Sequence, residues 1–136
     1  MVGSTAGMSP LFMLDSSACI HVLRGLVPFD ALPARNETAI SSIVAAELWT
    51  GVEKSQGLDR GRSLEVFLRL FSVIDFGTDD ARRYAEIRAD LERKGTLIGP
   101  MDLLIAAHAR RLGASLITRN AREFKRVKGL KVQAWK

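Results

Sequence analysis

Three acidic residues in this chain, Asp15, Glu47 and Asp102, are candidates for joint chemistry. Asp15 directly follows an apolar run at residues 11–14, and Asp102 comes just after the pair Gly99-Pro100. Ile43, Val44 and Gly51, at i−4, i−3 and i+4 from Glu47, are apolar or glycine, so its side chain is expected to face a half-buried pocket without a basic partner. Burying an unpaired carboxylate is costly, and a bound cation is one way to remove that cost. The three acids are therefore candidates for a metal-dependent site.

Each aspartate also has a simpler structural explanation. Asp15 has the residue type of a helix N-cap, and Asp102 would complement the dipole of a helix that begins beside it. The histidines His21 and His108 lack the H-x-x-x-H spacing of a zinc site, and a structural role is expected for His108. Taken one at a time these residues do not identify a function, so their placement in the fold is decisive.

The hydrophobic pattern predicts the elements that would position these acids. Apolar runs alternate with longer stretches of helical period, which predicts an α/β domain with a mostly parallel central sheet of about five strands. The predicted strands cover residues 11–14, 38–40, 72–76, 115–118 and, at one edge, 131–135. The predicted helices cover residues 18–24, a stretch after the capping pair Ser41-Ser42, a stretch around residues 64–71, residues 78–95 with Thr78 as cap, and residues 101–112.

On this predicted sheet most of the candidate residues fall at one edge. In open parallel sheets, ligands bind beyond the carboxyl ends of the strands. Asp15 directly follows the first strand, and Thr118 to Asn120 directly follow the fourth. Asp102 lies in the first turn of its helix, and Glu47 lies one turn deeper on another. A common site at the carboxyl edge is therefore expected.

Size and composition predict one domain. The 136 residues, 47% hydrophobic and 26% charged, fit a single globular domain at residues 11–136. Residues 1–10 lack the basic start and apolar run of a signal peptide and are predicted to be a disordered or added N-terminal segment. The sequence has no run of about 18 apolar residues, so no membrane span is expected and a cytoplasmic location is predicted. The single cysteine, Cys19, is expected to pack on a short helix.

The net charge of +5 is concentrated at the end of the chain. Residues 119–136 contain seven basic side chains and one acidic side chain, whereas the rest of the chain has a net charge of −1. Lysine and arginine neutralise phosphates and release counterions, so this basic end suits a polyanionic partner. A solvated, solubilising surface is the alternative, and charge alone does not decide between the two.

Motifs surround each candidate acid in the strings MLDSSACI, AISSIVAAELWTGV, IGPMDLLIAAHARRLGASLITRNAREF and VKGLKVQAW. These strings resemble the PIN-domain ribonucleases, and most of all the VapC toxins of bacterial toxin–antitoxin pairs. The likeness is collinear from residue 12 to residue 135.

The resemblance implies a PIN-like three-layer α/β/α fold and endonucleolytic cleavage of RNA, such as a tRNA or another structured RNA. It implies that a metal-activated water attacks, with Mg²⁺ as cofactor and Mn²⁺ as a substitute. By motif position, Asp15 and Asp102 match the metal-ligand aspartates of the family, and Glu47 matches its further acidic site residue. The resemblance also implies a homodimer and an antitoxin partner, with a segment that brings an arginine to the acids. Apolar stripes at residues 44–52 and 64–71 exceed what one small sheet would cover, and parts of that surface are expected to serve these contacts.

The chain departs from the family pattern in two places. The first motif is usually Asp-Thr-Asn, whereas here it is Asp15-Ser16-Ser17, which keeps a hydroxyl but loses the amide. Many PIN domains have a fourth acid where this chain has Asn120, and Glu123 is expected to replace it in part. One or two metal ions remain possible on this pattern. The supporting candidates are Ser16, Thr118, Asn120 and Glu123.

An acidic site repels the RNA backbone, so nearby cations are expected to hold the phosphates. Arg119, Arg122 and Lys125 are predicted to do this, because phosphate contacts position a nucleic acid without specifying its sequence. The more distal Lys131 and Lys136 are expected to be solvated.

Rival functions differ in what they require. A haloacid-dehalogenase-type phosphatase needs an aspartate at position 17, and a dinucleotide site needs a glycine fingerprint after the first strand; both are absent from the sequence. A nucleic-acid-binding module that does not cleave, and that acts with an antitoxin in operator binding, is the alternative. It would need no divalent metal.

Overall fold

The computed structural model describes residues 11–55 and 58–135, so the prediction for residues 1–10 lies outside the described residues. The strands are β1 (Phe12–Leu14), β2 (Thr38–Ser41), β3 (Ser72–Ile74), β4 (Ser115–Thr118) and β5 (Lys131–Ala134). The helices are α1 (Ser16–Leu23), α2 (Ser42–Ser55), α3 (Leu58–Arg69), α4 (Thr78–Lys94), α5 (Pro100–Leu112) and α6 (Ala121–Phe124), with short 3-10 turns at Phe29–Ala31 and Arg35–Glu37.

The strands form one parallel sheet in the order β3-β2-β1-β4-β5. The central strand β1 pairs with β2 on one side, where Phe12 aligns with Thr38, and with β4 on the other, where Leu14 aligns with Ile117. The strand order therefore reverses between β1 and β4, and such a switch point opens a crevice at the carboxyl ends. The predicted α/β fold with a parallel five-stranded sheet flanked by helices is confirmed.

Burial follows the position of each strand in the sheet. The central strands are buried along nearly their whole length, and their apolar residues Met13, Leu14, Ile40 and Leu116 are all fully buried. This is the pattern of strands covered by helices on both faces. The edge strands β3 and β5 are more exposed. The rigid centre of the sheet is thus the part that ends at the candidate site.

Local interactions explain where several helices begin and end. The Asp15 carboxylate accepts the N–H of Ala18, so α1 begins at Ser16, before the predicted residue 18. Helix α5 has Pro100 in its first turn and closes at Gly113, whose φ of 68° favours glycine.

Two predicted boundaries are wrong for identifiable reasons. Gly77, not Thr78, is the N-cap of α4, because the Asp80 carboxylate accepts the Gly77 N–H at 2.7 Å. Strand β3 ends at Ile74 rather than at residue 76, because the N–H of Phe76 donates to the Ser42 hydroxyl instead of to a strand. Helix α3 begins well before the predicted stretch, and the four-residue helix α6 has no periodic signal that predicts it.

The apolar stripes on α2 and α3 are largely covered by the chain itself. Val44, Leu48, Leu64, Phe67 and Phe71 are all buried. Trp49, Val52 and Leu68 on the same stripes are half-buried, so the expectation that part of this surface contacts a partner stays a prediction. Exposed apolar side chains lie beside the stripes at Ile20, Leu23 and Val66.

Within residues 11–55 and 58–135, no helix combines the length and the apolar character that a membrane crossing requires.

Candidate active site

Asp15 lies at the carboxyl end of β1 and is 2% exposed. Its N–H donates to the carbonyl of Ile117 at 3.1 Å, which fixes the start of α1 beside β4. Its Oδ1 accepts from the Ser17 hydroxyl at 2.7 Å and from the Ala18 N–H at 2.9 Å, and its Oδ2 accepts from the Thr118 hydroxyl. Burial raises the pKa of Asp15, and these hydrogen bonds oppose the rise. The carboxylate is therefore held in one orientation.

The two hydroxyls that donate to Asp15 are themselves fixed by the loop after β4. Ser17 Oγ accepts from the N–H of Arg119 at 3.0 Å, and Thr118 Oγ1 accepts from the N–H of Asn120 at 2.8 Å. Both hydroxyl protons therefore point to the carboxylate. Thr118 is among the predicted supporting residues, whereas Ser17 is not. The available signal is a hydroxyl two residues after an N-cap aspartate, within reach of that carboxylate.

Helix α2 brings Glu47 to the same edge from the other side of β1. The helix begins directly after β2, where Ser41 Oγ accepts the N–H of Ile43 at 3.1 Å. Glu47 is half-buried, and its Oε1 accepts a hydrogen bond from the hydroxyl of Ser16, the neighbour of Asp15. Among the described residues no basic side chain forms an ion pair with Glu47. Ser16 thus links the first two acids through a neutral contact.

Asp102, in the first turn of α5, is half-buried beside the other acids. Burial, followed by the negative charges of Glu47, Asp15 and Glu123, raises the pKa of Asp102 to about 6. Within the described part of the chain, no group donates a hydrogen bond to this carboxylate and no cation pairs with it. Converging carboxylates without a protein cation are what a metal site presents before the metal binds.

The remaining candidates lie on and around α6. Asn120 is the N-cap of this helix without a side-chain capping bond, and Glu123 is exposed, although its charge contributes to the raised pKa of Asp102. The three predicted phosphate-binding side chains are exposed and form no ion pair with any residue that the structure describes. They are Arg119, Arg122 and Lys125.

These acids fit a hard divalent cation held by few protein ligands. No three Asp, Glu, His or Cys side chains of residues 11–55 and 58–135 are arranged to enclose a metal ion alone. A structural zinc site needs four such ligands, so it does not fit. Mg²⁺ keeps several waters and takes one or two carboxylates plus a substrate phosphate, which Asp15 and Asp102 can supply.

A second polar cluster, absent from the sequence-based candidates, lies where α4 packs on α5. Asp80 is fully buried and accepts from the Gly77 N–H and from the Arg111 guanidinium. Burial alone would raise the pKa of Asp80, but the hydrogen bonds from Arg111 and Gly77 outweigh it and hold the pKa below its usual value. This aspartate is neutralised by the protein itself.

His108 belongs to the same cluster. Its Nδ1 lies 2.8 Å from Ser41 Oγ, which already accepts from Ile43, so the tautomer that suits both groups has Ser41 donating and the ring proton on Nε2. That Nε2 faces Asp80 Oδ2 at 3.7 Å, beyond hydrogen-bond range. Burial lowers the pKa of His108, so the ring is neutral at pH 7. The position agrees with the structural role expected for this histidine.

An apolar cleft of about 510 Å³ adjoins the acidic site between α1, α2 and α3. Ile20, Leu23, Leu48 and Val52 line it, together with Glu47 and the charged residues Arg24, Asp59 and Arg60. Ile20 and Leu23 are each 38% exposed. Because Glu47 belongs to both the cleft and the acidic site, a molecule in the cleft would lie against the candidate catalytic residues.

Comparison with known proteins covers nearly the whole chain. Residues 12–130 match the family model described as the PIN domain. Ribonuclease VapC2 of Rickettsia felis is 40% identical over 131 residues, which are 92% of this chain and 98% of that protein. The tRNA(fMet)-specific endonuclease VapC of Salmonella typhimurium is 38% identical over 130 residues, 91% of this chain and 97% of that protein. The crystal structure of VapBC2 from Rickettsia felis, bound to a DNA fragment from its promoter, superposes with a TM-score of 0.86 at 38% identity, over 93% of this chain and 99% of that one.

Proposed function

This chain belongs to the PIN-domain family and within it to the VapC ribonucleases, and we propose that it is a toxin that cleaves RNA endonucleolytically with Mg²⁺. The observation that best supports the metal is the pKa of Asp102, raised to about 6 by burial and by Glu47, Asp15 and Glu123. Neighbouring carboxylates raise one another's pKa when no cation is bound. A cation that binds between them stabilises their ionised forms. Mn²⁺ would substitute for Mg²⁺ on the same oxygen ligands.

Each acid has a proposed task that follows from its contacts. Bound Mg²⁺ would supply a water of lowered pKa and a counter-charge for the phosphate. Asp15, oriented by Ser17 and Thr118, and Asp102, which has no hydrogen-bond donor of its own among the described residues, would hold the ion. Glu47, steadied by Ser16, would orient the attacking water. Arg119, Arg122 and Lys125 would hold backbone phosphates at the rim.

Transfer RNA is the substrate class to examine first. The Salmonella typhimurium relative, 38% identical, is named as specific for tRNA(fMet). A structured RNA with an exposed loop would also present single-stranded phosphates to a site that lies at an open sheet edge.

Cleavage of bulk tRNA by the purified chain, followed on denaturing gels with Mg²⁺ or with EDTA, tests the proposal. Discrete fragments are expected with Mg²⁺, and none with EDTA or with Asp102→Asn. Asp79→Asn, an exposed aspartate on α4, is the matched control and should cleave as the wild type does. Fragments formed equally in EDTA, or by Asp102→Asn, would contradict a metal site built on Asp102.

VapC proteins act in toxin–antitoxin pairs, and we assign the antitoxin segment to the apolar cleft between α1, α2 and α3. An apolar helix or strand in this cleft would end at Glu47, where an arginine could pair with the acids and compete with the metal. Expression of the chain alone should arrest bacterial growth, and Asp15→Ala or Glu47→Ala should relieve the arrest. Equal toxicity of all three proteins would indicate an effect other than cleavage. We also propose a homodimer, and light scattering that shows only monomers well above micromolar concentration would count against it.

The non-cleaving alternative is favoured by one observation, the promoter DNA bound in the Rickettsia felis structure. On that alternative, the chain with its antitoxin would bind operator DNA in EDTA as well as in Mg²⁺ and would cleave no RNA. The cleavage assay above separates the two functions.

A further inference from the structure

Trp135 lies at the same edge of the sheet as the acidic site. It directly follows β5, in which Ala134 aligns with Thr118 of β4. The N–H of Trp135 donates to the carbonyl oxygen of Thr118 at 2.8 Å, and the Thr118 hydroxyl donates to Asp15. Two hydrogen bonds therefore connect the backbone of Trp135 with the most buried carboxylate of the site.

The indole ring of Trp135 is not covered by its aromatic neighbour. It meets His21 of α1 edge-on, with ring centroids 6.0 Å apart and planes inclined by 70°. An edge-on contact leaves at least one face of each ring free of the other, and Trp135 is only half-buried. A helix rises by about 1.5 Å per residue, so His21 lies roughly 9 Å along α1 from Asp15. The contact between His21 and Trp135 therefore lies within about two helical turns of Asp15.

A cleft of about 390 Å³ begins at Trp135 and follows the sheet away from the site. Phe12, Leu32 and Ile117 give it apolar walls, and Gln133 and Glu37 give it polar groups. Gln133 lies two residues before Trp135, whereas Glu37 precedes β2 at the amino end of the sheet. An amide close to an aromatic ring matches the edge and the face of a nucleobase, which presents hydrogen-bond donors and acceptors around a planar ring. Arg119, exposed and one residue beyond the pair Thr118–Ala134, can hold the adjoining phosphate.

We infer that this cleft is a nucleobase subsite, in which an unpaired RNA base next to the scissile phosphate stacks on Trp135 and is contacted at its edge by Gln133. The inference rests on the proposed ribonuclease function and assigns a specificity determinant to it. Stacking on an aromatic side chain tolerates any base, whereas the edge contacts distinguish one base from another.

Tryptophan fluorescence can test the stacking directly, because the chain has only two tryptophans, Trp49 and Trp135. Trp49→Phe leaves Trp135 as the only tryptophan, and Trp135→Phe leaves Trp49 as the matched control. Both variants carry Asp102→Asn to prevent cleavage and are titrated with a short unstructured RNA. Quenching is expected in the variant that keeps Trp135 and not in its control. Equal quenching in both variants, or none in either when binding is measured independently, would overturn the inference.

A second measurement uses the same RNA with an abasic nucleotide moved along it. At the stacked position the abasic RNA should bind about 5- to 150-fold more weakly, since one stacked base contributes about 1–3 kcal/mol. Trp135→Ala should lose a similar factor with intact RNA and should no longer respond to the abasic position, whereas Trp135→Phe should retain most of the response. The salt dependence of binding should not change in either variant, because no charge is removed.

Failure of this inference and failure of the proposed function give different results. If the wild type cleaves RNA with Mg²⁺ but the abasic scan and the Trp135 variants change nothing, the subsite is wrong and the nuclease stands. If the wild type cleaves no RNA, the proposed function itself is contradicted. Gln133→Ala should bind intact RNA nearly as well as the wild type but should reduce its preference among the four bases at the stacked position, and an unchanged preference would contradict the edge contacts.

Discussion

Two clusters of charged side chains in this small domain shift the pKa of an aspartate in opposite directions. At the junction of α4 and α5, the Arg111 guanidinium and the Gly77 N–H compensate the buried carboxylate of Asp80 and hold its pKa below the usual value. At the carboxyl edge of the sheet, burial and three neighbouring acids raise the pKa of Asp102 to about 6, and no cation among the described residues pairs with it. Asp80 lies in the first turn of α4 and Asp102 in the first turn of α5, so their backbone setting is similar.

The difference is the one expected between a carboxylate that serves only the fold and a carboxylate that binds a ligand. A carboxylate that serves only the fold is neutralised by a partner in the same chain, because an uncompensated charge lowers stability. A carboxylate that binds a ligand needs free lone pairs. Without the ligand its charge is therefore uncompensated, and neighbouring acids raise its pKa. The comparison therefore predicts that the two clusters respond oppositely to mutation, metal and pH.

The largest expected effect concerns RNA cleavage. Asp15→Asn and Asp102→Asn should each lower the rate by at least about a thousand-fold, because a metal-held charge contributes several kcal/mol to the transition state. Gel-based cleavage rates with saturating Mg²⁺ measure this, and far-UV circular dichroism checks that the fold is retained. A variant of either residue with wild-type activity would remove that residue from the site.

The next effect concerns stability at the other cluster. Arg111→Met leaves Asp80 buried without its cation and should lower the free energy of unfolding by about 3–5 kcal/mol, measured by urea titration at pH 7. Arg110→Met is the matched control, since Arg110 pairs with the exposed Glu86 at 3.2 Å and its loss should cost less than about 1 kcal/mol. Similar losses in the two variants would show that Asp80 is not the neutralised charge described here.

A smaller effect of opposite sign is expected for Asp102. Because its folded pKa, about 6, exceeds the ordinary value of 3.8, the ionised group opposes folding. Ionised Asp102 therefore lowers the free energy of unfolding. This destabilisation is absent below pH 3.8, increases between pH 3.8 and 6, and is constant above pH 6. Asp102→Asn should therefore be about 1–3 kcal/mol more stable than the wild type at pH 7 without metal, after allowance for solvent screening.

Mg²⁺ is expected to change the stability difference between the wild type and Asp102→Asn. It should stabilise the wild type and reduce or reverse the advantage of Asp102→Asn, because an ion that binds only the folded state adds to its stability. Thermal unfolding at pH 4, 5.5 and 7, with EDTA or with Mg²⁺, measures both effects. An advantage that is the same at all three pH values would refute the assignment of the destabilisation to this carboxylate.

The smallest expected effect concerns the basic rim. Replacing Arg119, Arg122 and Lys125 with alanine should weaken RNA binding and lower its salt slope by about 0.7 for each lost phosphate contact. The Mg²⁺-induced stabilisation should be unchanged, because these cations do not hold the metal. An unchanged salt slope would mean that the basic stretch is only a solvated surface.

The elements that hold the site could be predicted because their signals are local. The central strands are short apolar runs followed at once by polar residues, and α5 has both a proline at its start and a glycine at its end. The edges are less well predicted. Strand β3 is exposed and ends early because the N–H of Phe76 is taken by the Ser42 hydroxyl, a contact that joins residues 34 positions apart. No local sequence pattern predicts this hydrogen bond.

The same limit applies to the candidate site. Strand ends and helix starts predict that Asp15 and Asp102 approach each other, because topology alone brings those ends to one edge. The bond between Ser16 and Glu47 and the pairing of Asp80 with Arg111 each join residues 31 positions apart. These contacts exist only once the helices pack, and so sequence context cannot separate a paired acid from an unpaired one.

The hydrogen bonds of Asp15 set the number of coordination bonds that this residue can offer. A carboxylate has four lone pairs, and donors from Ser17 and Ala18 occupy both on Oδ1 while Thr118 occupies one on Oδ2. One lone pair is left, so Asp15 would bind a metal ion as a monodentate ligand. Mg²⁺ favours six oxygens in octahedral geometry and strains against bidentate carboxylates. A ligand limited to a single short bond would therefore suit Mg²⁺ better than the larger Ca²⁺, and most of the coordination sphere of a bound ion would be left to water and to the phosphate of the RNA.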